Sequence, residues 1–313
     1  MPADYGKADA PVIQPVIQPV IQPVIQIEPA VRLIRADNPS PLTGSGTNTY
    51  LLGRGDVTVI DPGPDLDSHL SAILTALGPG ERITDILLTH AHLDHSALIP
   101  RLVSATAATT HAYGPATSGR SAVMQRLAAE GLTGGEGVDP AFTPDHVLSG
   151  GAALTLSGLR VEALHTPGHM GCHLGFAIGD LLFSGDHVMG WSTTLVSPPD
   201  GDMAAYMTSL HRLAARHWRR FLPGHGDPVE NPAQRLGDLI SHRQSREAAI
   251  LSALRNTGPA TAVSLAALIY RDTPPALLPA ATRNVLAHLI DLASRNLVDP
   301  DPGPLAQARF HST

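Results

Sequence analysis

A chain of 313 residues, 43% hydrophobic and 16% charged, can bury a large core and has room for a catalytic domain plus a smaller one. It contains no apolar run long enough to cross a membrane and no basic-then-apolar leader, and its one cysteine, Cys172, rules out an internal disulfide and a paired-cysteine zinc knuckle. A net charge of −7 argues against tight, non-specific nucleic-acid binding over the whole surface, and a reducing cytoplasm is the expected location.

Residues 1–28 form a tail apart from the rest. Pro-Val-Ile-Gln recurs at Pro11, Pro15, Pro19 and Pro23. Proline at every fourth position forbids a helix and removes ladder donors, so an extended, mobile segment is expected, more a tolerated repeat expansion than a docking arm. Strands are predicted at 31–34, 49–52 and 57–60, with a turn over Gly53 to Asp56. Residues 67–77 have helical spacing, with Leu70, Ile73, Leu74 and Leu77 on one face. Ile86-Leu87-Leu88 is a short buried strand. A polar loop follows, then a helix from Ser96 to Leu102 and a short strand ending near His111-Ala112-Tyr113. Residues 114–143, rich in Gly, Ala and Ser, hold a helix around 121–130. Short strands at 153–156, 161–164, 174–178 and 181–183 make a second sheet, followed by a helix over 204–215 and a last strand at Phe221-Leu222. Beyond 228 the texture is helical, with helices over 233–254, 261–270 and 278–296. The catalytic domain is therefore placed at 29–228 and a small C-terminal domain at 229–313.

The chemistry concentrates in Thr89-His90-Ala91-His92-Leu93-Asp94-His95-Ser96. Three histidines and one aspartate lie on a strand-to-helix loop, where a rigid scaffold can aim several side chains at one point. Imidazole and carboxylate suit zinc, and also iron or manganese. Partners appear downstream: His169 in His165-Thr166-Pro167-Gly168-His169, Asp186 in Leu182-Phe183-Ser184-Gly185-Asp186, and His225 in Leu222-Pro223-Gly224-His225-Gly226. Each follows an apolar strand and sits in a Gly- or Pro-marked turn. Together these are five histidines and two aspartates, a set that suits two metals sharing one carboxylate.

In this order the motifs, with Asp61-Pro62-Gly63 ahead of them, resemble the metallo-β-lactamase fold superfamily over roughly residues 30 to 228. Gly46-Thr47-Asn48-Thr49-Tyr50, Gly185-Asp186-His187-Val188-Met189-Gly190 and Ile240-Ser241-His242-Arg243 through Arg246-Glu247 resemble most the branch of lactamase-beta-like protein two, which holds a mitochondrial single-strand endoribonuclease and bacterial relatives. The resemblance implies an α+β fold, a four-layer αββα sandwich, with a small winged-helix-like C-terminal domain. It implies a first metal on His90, His92 and His169, a second on Asp94, His95 and His225, and Asp186 as the bridge. A water or hydroxide would share the remaining position, with its pKa lowered by two Zn2+, or by Fe or Mn. Asp94 would shuttle protons, His173 would touch substrate, and Asp61 would orient a ligand histidine. His187, His165 and Cys172 are expected to stay out of the chemistry.

The implied activity is hydrolysis. Single-stranded RNA is the substrate suggested by the branch. A thioester or lactone, as in glyoxalase-II-like enzymes, is the alternative, and β-lactamase activity would be weak or absent because true β-lactamases of this fold lack the bridging aspartate. Residues 229–313 carry a net +1, against −8 for the rest, so Arg243 and Arg246 are expected either to contact RNA phosphates or to pair with acids and fasten their helix to the catalytic domain.

Overall fold

The structure, a computed structural model, describes residues 22–135 and 137–313. Seven strands build the first sheet in chain order: β1 (Ile25–Glu28), β2 (Val31–Arg35), β3 (Asn48–Leu52), β4 (Asp56–Ile60), β5 (Arg82–Leu87), β6 (Thr109–Ala112) and β7 (His146–Val147). The pairs up to β4 are antiparallel and those after it are parallel. The switch follows from the connections. Short turns join β1 to β2 and β3 to β4, and the loop over residues 36–47 joins β2 to β3 without a helix, whereas α1 (Asp67–Thr75) separates β4 from β5, and α2 (Leu93–Ser96) with α3 (Ile99–Thr106) separates β5 from β6. Next comes α4 (Ala122–Ala129), which starts at Ser121, a side-chain N-cap that accepts from Met124 N.

The second sheet contains β8 (Ala153–Leu156), β9 (Leu159–His165), β10 (Leu174–Ile178), β11 (Leu181–Gly185) and β12 (Arg220–Pro223), with α5 (Met203–Ala214) between the last two. It is antiparallel except at β11–β12, where α5 makes the crossover. The period of two along each strand sorts side chains between layers. On β4, Val57 and Val59 face α1 and α3, and pack with Ile73, Ile99 and Leu102. Ile60 points inward with Tyr50, Leu52 and Leu87, against Val161, Phe176, Phe183 and Leu222 of the second sheet. Outside that sheet, Ala177, Leu182 and Phe221 meet Tyr206, Leu210 and Leu213 of α5. This is the four-layer αββα sandwich.

The C-terminal region follows as α6 (Pro232–Thr257), β13 (Ala260–Thr261), α7 (Ala262–Ile269), a 3-10 turn (Pro275–Leu277), α8 (Leu278–Ser294), β14 (Val298–Pro300) and β15 (Arg309–Ser312). Three helices and a three-stranded sheet in the order β13-β15-β14 form a winged helix. Proline in its first turn and Gly258 after its end delimit α6. This helix serves two cores. Leu236 and Leu239 join the outer layer of the second sheet, while Ile250 and Leu254 join Leu265, Val285, Leu289 and Phe310. Met124 and Leu127 of α4 also enter that second core, which ties the 114–143 segment to the winged helix.

Two expectations need correction. Only residues 1–21 of the tail lie outside the described residues. The last repeat does not trail free: Ile25–Glu28 pairs with β2, with Ile25 opposite Leu33. Pro23 precedes the strand, so no ladder donor is lost. The strands of the wing were also missed, because each is short and Pro300 and Gly303 interrupt the pattern. Among the described residues no helix is long and apolar enough to cross a membrane.

Candidate metal centre

β9, β11 and β12 run in the same direction, so the turns after them open at one edge, where the loop after β5 also arrives. His169, Asp186 and His225 come from those three turns, and His90, His92, Asp94 and His95 from the loop. Their donor atoms converge. His90, His92 and His169 form one group, Asp94, His95 and His225 another, and Asp186 groups with His90 and His95, with all ligand atoms in each group within 4.8 Å of one another.

In the first group, His92 Nδ1 lies 2.9 Å from His90 Nε2 and 3.0 Å from His169 Nε2. In the second, His225 Nε2 lies 3.2 Å from Asp94 Oδ2 and 3.3 Å from His95 Nε2. Asp186 spans them, with Oδ2 at 3.3 Å from His225 Nε2 and 3.8 Å from His169 Nε2, and Oδ1 at 3.5 Å from His95 Nε2.

The tautomers decide what these contacts are. His169 Nδ1 donates to Leu195 O at 2.7 Å, His225 Nδ1 to Gly46 O at 3.2 Å, and His95 Nδ1 to Asp61 Oδ2 at 2.9 Å. Burial keeps His90, His92 and His169 neutral, and with the His169 proton fixed on Nδ1 their bare nitrogens face one another; at His95 and His225 the carboxylates hold an Nε2 proton that a cation would replace. Lone pairs facing one another at about 3 Å repel unless a cation lies among them. Zinc–nitrogen bonds of about 2.0–2.1 Å place tetrahedral ligands roughly 3.4 Å apart, close to the spacing found. The buried Oδ1 of Asp186 also has no hydrogen-bond donor. The residues therefore fit a pair of divalent cations.

A second layer holds this geometry. Asp61 is 2% exposed and accepts from Thr89 N at 2.8 Å, Thr89 Oγ1 at 2.7 Å and His95 Nδ1. Because the Thr89 hydroxyl proton goes to Asp61, its lone pair accepts from His90 Nδ1 at 3.0 Å. One carboxylate thus orients a histidine in each group. The turn carrying His225 is clamped by Asn48, whose amide donates to Pro223 O at 3.0 Å and Gly226 O at 2.7 Å, and by Tyr50, whose hydroxyl donates to Pro223 O at 2.7 Å. In the sequence Asn48 and Tyr50 stand only within the Gly46-to-Tyr50 stretch, where nothing marks them as a clamp. Gly224 is obligatory here, since a Cβ would sit 2.4 Å from Asp186 Oδ1 and 2.7 Å from His95 Cε1.

Electrostatics separate the two groups. Burial lowers His90 well below the usual imidazole range, lowers His92 to about 3, and lowers His169. Burial acts the same way on His95 and His225, but surrounding carboxylates outweigh it. Asp94, Asp186 and Asp61 raise His95 well above the usual range, and Asp186 with Asp94 raises His225 to about 9. Burial would raise Asp94, but His95 and His225 hold it down at about 2.

A cleft of about 410 Å3 opens over His92, Asp94, His169, Asp186 and His225. His173 does not reach it, which corrects the expected substrate contact. It is 0% exposed, its Nδ1 meets Thr166 Oγ1 at 2.8 Å, and its Nε2 accepts the backbone N–H of Asp186 at 3.2 Å. His173 supports Asp186 from behind. His187 points away from the cluster, toward Tyr206, as expected. His165 stacks on Tyr113 and meets Gly171 O at 2.8 Å. Burial pushes the Cys172 thiol up to about 11, so it carries no thiolate at neutral pH.

An αββα sandwich with a histidine–aspartate cluster at one sheet edge defines a class of metal-site hydrolases. Within it, the chain belongs to the metallo-beta-lactamase superfamily, whose family model matches residues 42–225; the model for the beta-lactamase associated winged helix domain matches residues 261–303. The chain is similar to a beta-lactamase-like protein 2 homolog of Drosophila melanogaster, at 34% identity over 266 residues, covering 82% of this chain and 85% of that protein. An atrochrysone carboxyl ACP thioesterase of Aspergillus fumigatus is 30% identical over 238 residues, covering 74% of this chain and 66% of that protein. Among solved structures, a beta-lactamase domain protein from Burkholderia ambifaria has the same fold, with a TM-score of 0.78 at 23% identity, covering 96% of each chain.

Proposed function

We propose that this protein is a dinuclear metal-dependent hydrolase that cleaves a thioester, a lactone or a related carbonyl ester with an apolar acyl part. The observation that carries the substrate class is the lining of the cleft. Pro41, Leu42, Leu93, Met189 and Leu195 face it, and among the described residues no lysine or arginine lines it. Leu42, Leu93 and nearby Trp191 keep 54%, 44% and 45% of their surface exposed, an apolar rim beside the candidate ligands. An RNA strand brings a negative charge with every nucleotide and calls for basic side chains along its path. Arginines that touch the cleft wall are already engaged there: Arg120 pairs with Asp200, Arg235 donates to Met189 O and Ser192 O, and Arg283 to Ser197 Oγ. A neutral carbonyl ester asks for no such charge. The similarity to a fungal protein named as a thioesterase points the same way.

His90, His92 and His169 would hold one cation, Asp94, His95 and His225 the other, with the Asp186 carboxylate between them. When bound, the pair supplies Lewis acidity, bringing a water's pKa toward neutrality and polarising the substrate carbonyl; zinc suits this donor set best, iron and manganese next. Asp94 is ionised and partly open to the cleft floor, placed to take a proton from the attacking water and pass it to the leaving group. The apolar rim would orient the acyl chain and exclude bulk water around the carbonyl.

The test is a hydrolysis panel of an acyl thioester, a lactone, nitrocefin and a single-stranded RNA, run with zinc- and manganese-loaded protein. Turnover of the thioester or lactone, abolished by chelation, is expected. Cleavage of RNA without turnover of either carbonyl substrate would reverse the assignment.

A further inference from the structure

Arg243 and Arg246, the two arginines singled out on α6, are both engaged within the protein. Arg243 is 1% exposed. Its Nη2 donates to Thr194 O, its Nη1 to Asn284 Oδ1 at 3.3 Å, and its guanidinium lies 5.1 Å from the Tyr206 ring centroid. Arg246 stacks over Tyr270 at 4.6 Å. The expected phosphate contact is thereby corrected for Arg243, because a buried guanidinium that holds a carbonyl cannot reach a strand outside. Three further side chains converge on the same stretch. Arg235 donates from Nε to Met189 O at 2.7 Å and from Nη2 to Ser192 O at 2.5 Å. Asn284 Oδ1 accepts the backbone N–H of Val196 at 3.0 Å. Arg283 donates to Ser197 Oγ at 2.8 Å and to Pro198 O.

These groups fix residues 189–198, a wall of the cleft, and the wall touches the candidate ligands directly. Leu195 O accepts the Nδ1 proton of His169 at 2.7 Å. The Thr194 hydroxyl is shared between Asp186 O at 2.7 Å and His187 O at 2.9 Å. The chain of contacts therefore runs from α6 and α8 through Thr194 to Val196 and on to His169 and Asp186. A mobile Leu195 carbonyl would release the His169 ring and its tautomer.

We infer that Arg243 and Asn284 are positioning residues for the metal centre, and that the winged helix serves as a fixed brace for the cleft wall. The inference rests on the metal-site reading above. Asn284→Ala removes the acceptor of the Val196 N–H and the partner of Arg243. Asn284→Asp keeps both and pairs better with the guanidinium, giving up only the Nδ2 donation to Ala280 O at 3.3 Å. In the full chain, Asn284→Ala is expected to lower the affinity of the first zinc or cobalt site about tenfold, the low end for outer partners of a ligand histidine. In metal-free protein it should speed hydrogen exchange across 189–198 severalfold. Asn284→Asp should restore both readouts. Arg243→Lys, which keeps the charge but loses one of the two donors, is the second variant should Asn284→Ala fail to fold, and it should show the same two losses.

A structural role alone would lower the melting temperature and leave metal affinity and local exchange unchanged in folded variants, and that result overturns the inference while sparing the metal reading. Wild-type protein that takes up no divalent cation would overturn the metal reading itself.

Discussion

Asp61→Asn replaces one acceptor oxygen with an NH2 group and keeps the volume. Asp61 takes three protons, from Thr89 N, Thr89 Oγ1 and His95 Nδ1, at 2.8, 2.7 and 2.9 Å. The asparagine oxygen can still serve the backbone N–H. Its nitrogen then faces a hydroxyl and an imidazole N–H, both donors. The Thr89 hydroxyl can turn to accept through its second lone pair and keep His90 Nδ1 on the first, but its own proton then loses the Asp61 acceptor. His95 can change tautomer, but its proton then sits on Nε2, where a cation would bind. Outer-partner losses of this kind cost about ten- to hundredfold in metal affinity, roughly 1.4–2.7 kcal/mol per site. If one donor stays unpaired, the metal-free fold loses about 1–3 kcal/mol as well. Competition titration with a chromophoric chelator reads the first quantity and thermal unfolding of metal-free protein the second. A variant that binds two equivalents with wild-type affinity would refute this account of Asp61.

Other perturbations follow from the same geometry. Asp186→Ala leaves two cations repelling about 3.5–4 Å apart, so the protein should retain at most one equivalent by elemental analysis and lose most activity while still folding. Gly224→Ala places a methyl 2.4 Å from Asp186 Oδ1, and should cost at least tenfold in turnover and in metal content, measured after reconstitution. Metal affinity should depend on pH unequally. His225, raised to about 9, and His95, raised as well, hold protons that a cation must displace, so affinity at Asp94, His95 and His225 should rise toward pH 9 by up to tenfold per pH unit for each proton released. His92, lowered to about 3, stays neutral through this range, so acidification should empty the Asp94 group first, as metal content measured against pH will show.

Much of the sandwich was legible because its strands are apolar runs punctuated by Gly, Pro and Asp, and because each candidate ligand occupies such a punctuation point. The converging loop after β5 and the turns at His169, Asp186 and His225 needed only the rule that strand ends meet at one edge. His173 was misplaced for a definite reason. The spacing from His169 says that the two share a loop, but not that the Asp186 backbone N–H already occupies its Nε2. The supports were illegible for a similar reason: Leu195 O and Gly46 O act through backbone carbonyls, which no residue identity reveals. β1 was hidden by its repeat, because proline content argued against pairing, while Pro23 lies just ahead of the paired residues.

The C-terminal arginines show how a charge count can mislead. A region with a net charge of +1 in a chain of −7 looks like a surface for a polyanion, if each guanidinium is taken as free. Three of its eight arginines are instead spent on the carbonyls and hydroxyl of residues 189–198. A guanidinium suits that task because it presents five donors in a rigid fork and stays charged when buried. A buried cation without a carboxylate is costly unless carbonyl dipoles solvate it, so the carbonyls of this wall and Arg243 stabilise one another. The brace works only if it is rigid, and a side chain that must also move to meet a ligand would forfeit that. For these arginines, holding the cleft wall and reading an RNA backbone are competing roles, and the geometry assigns them the first.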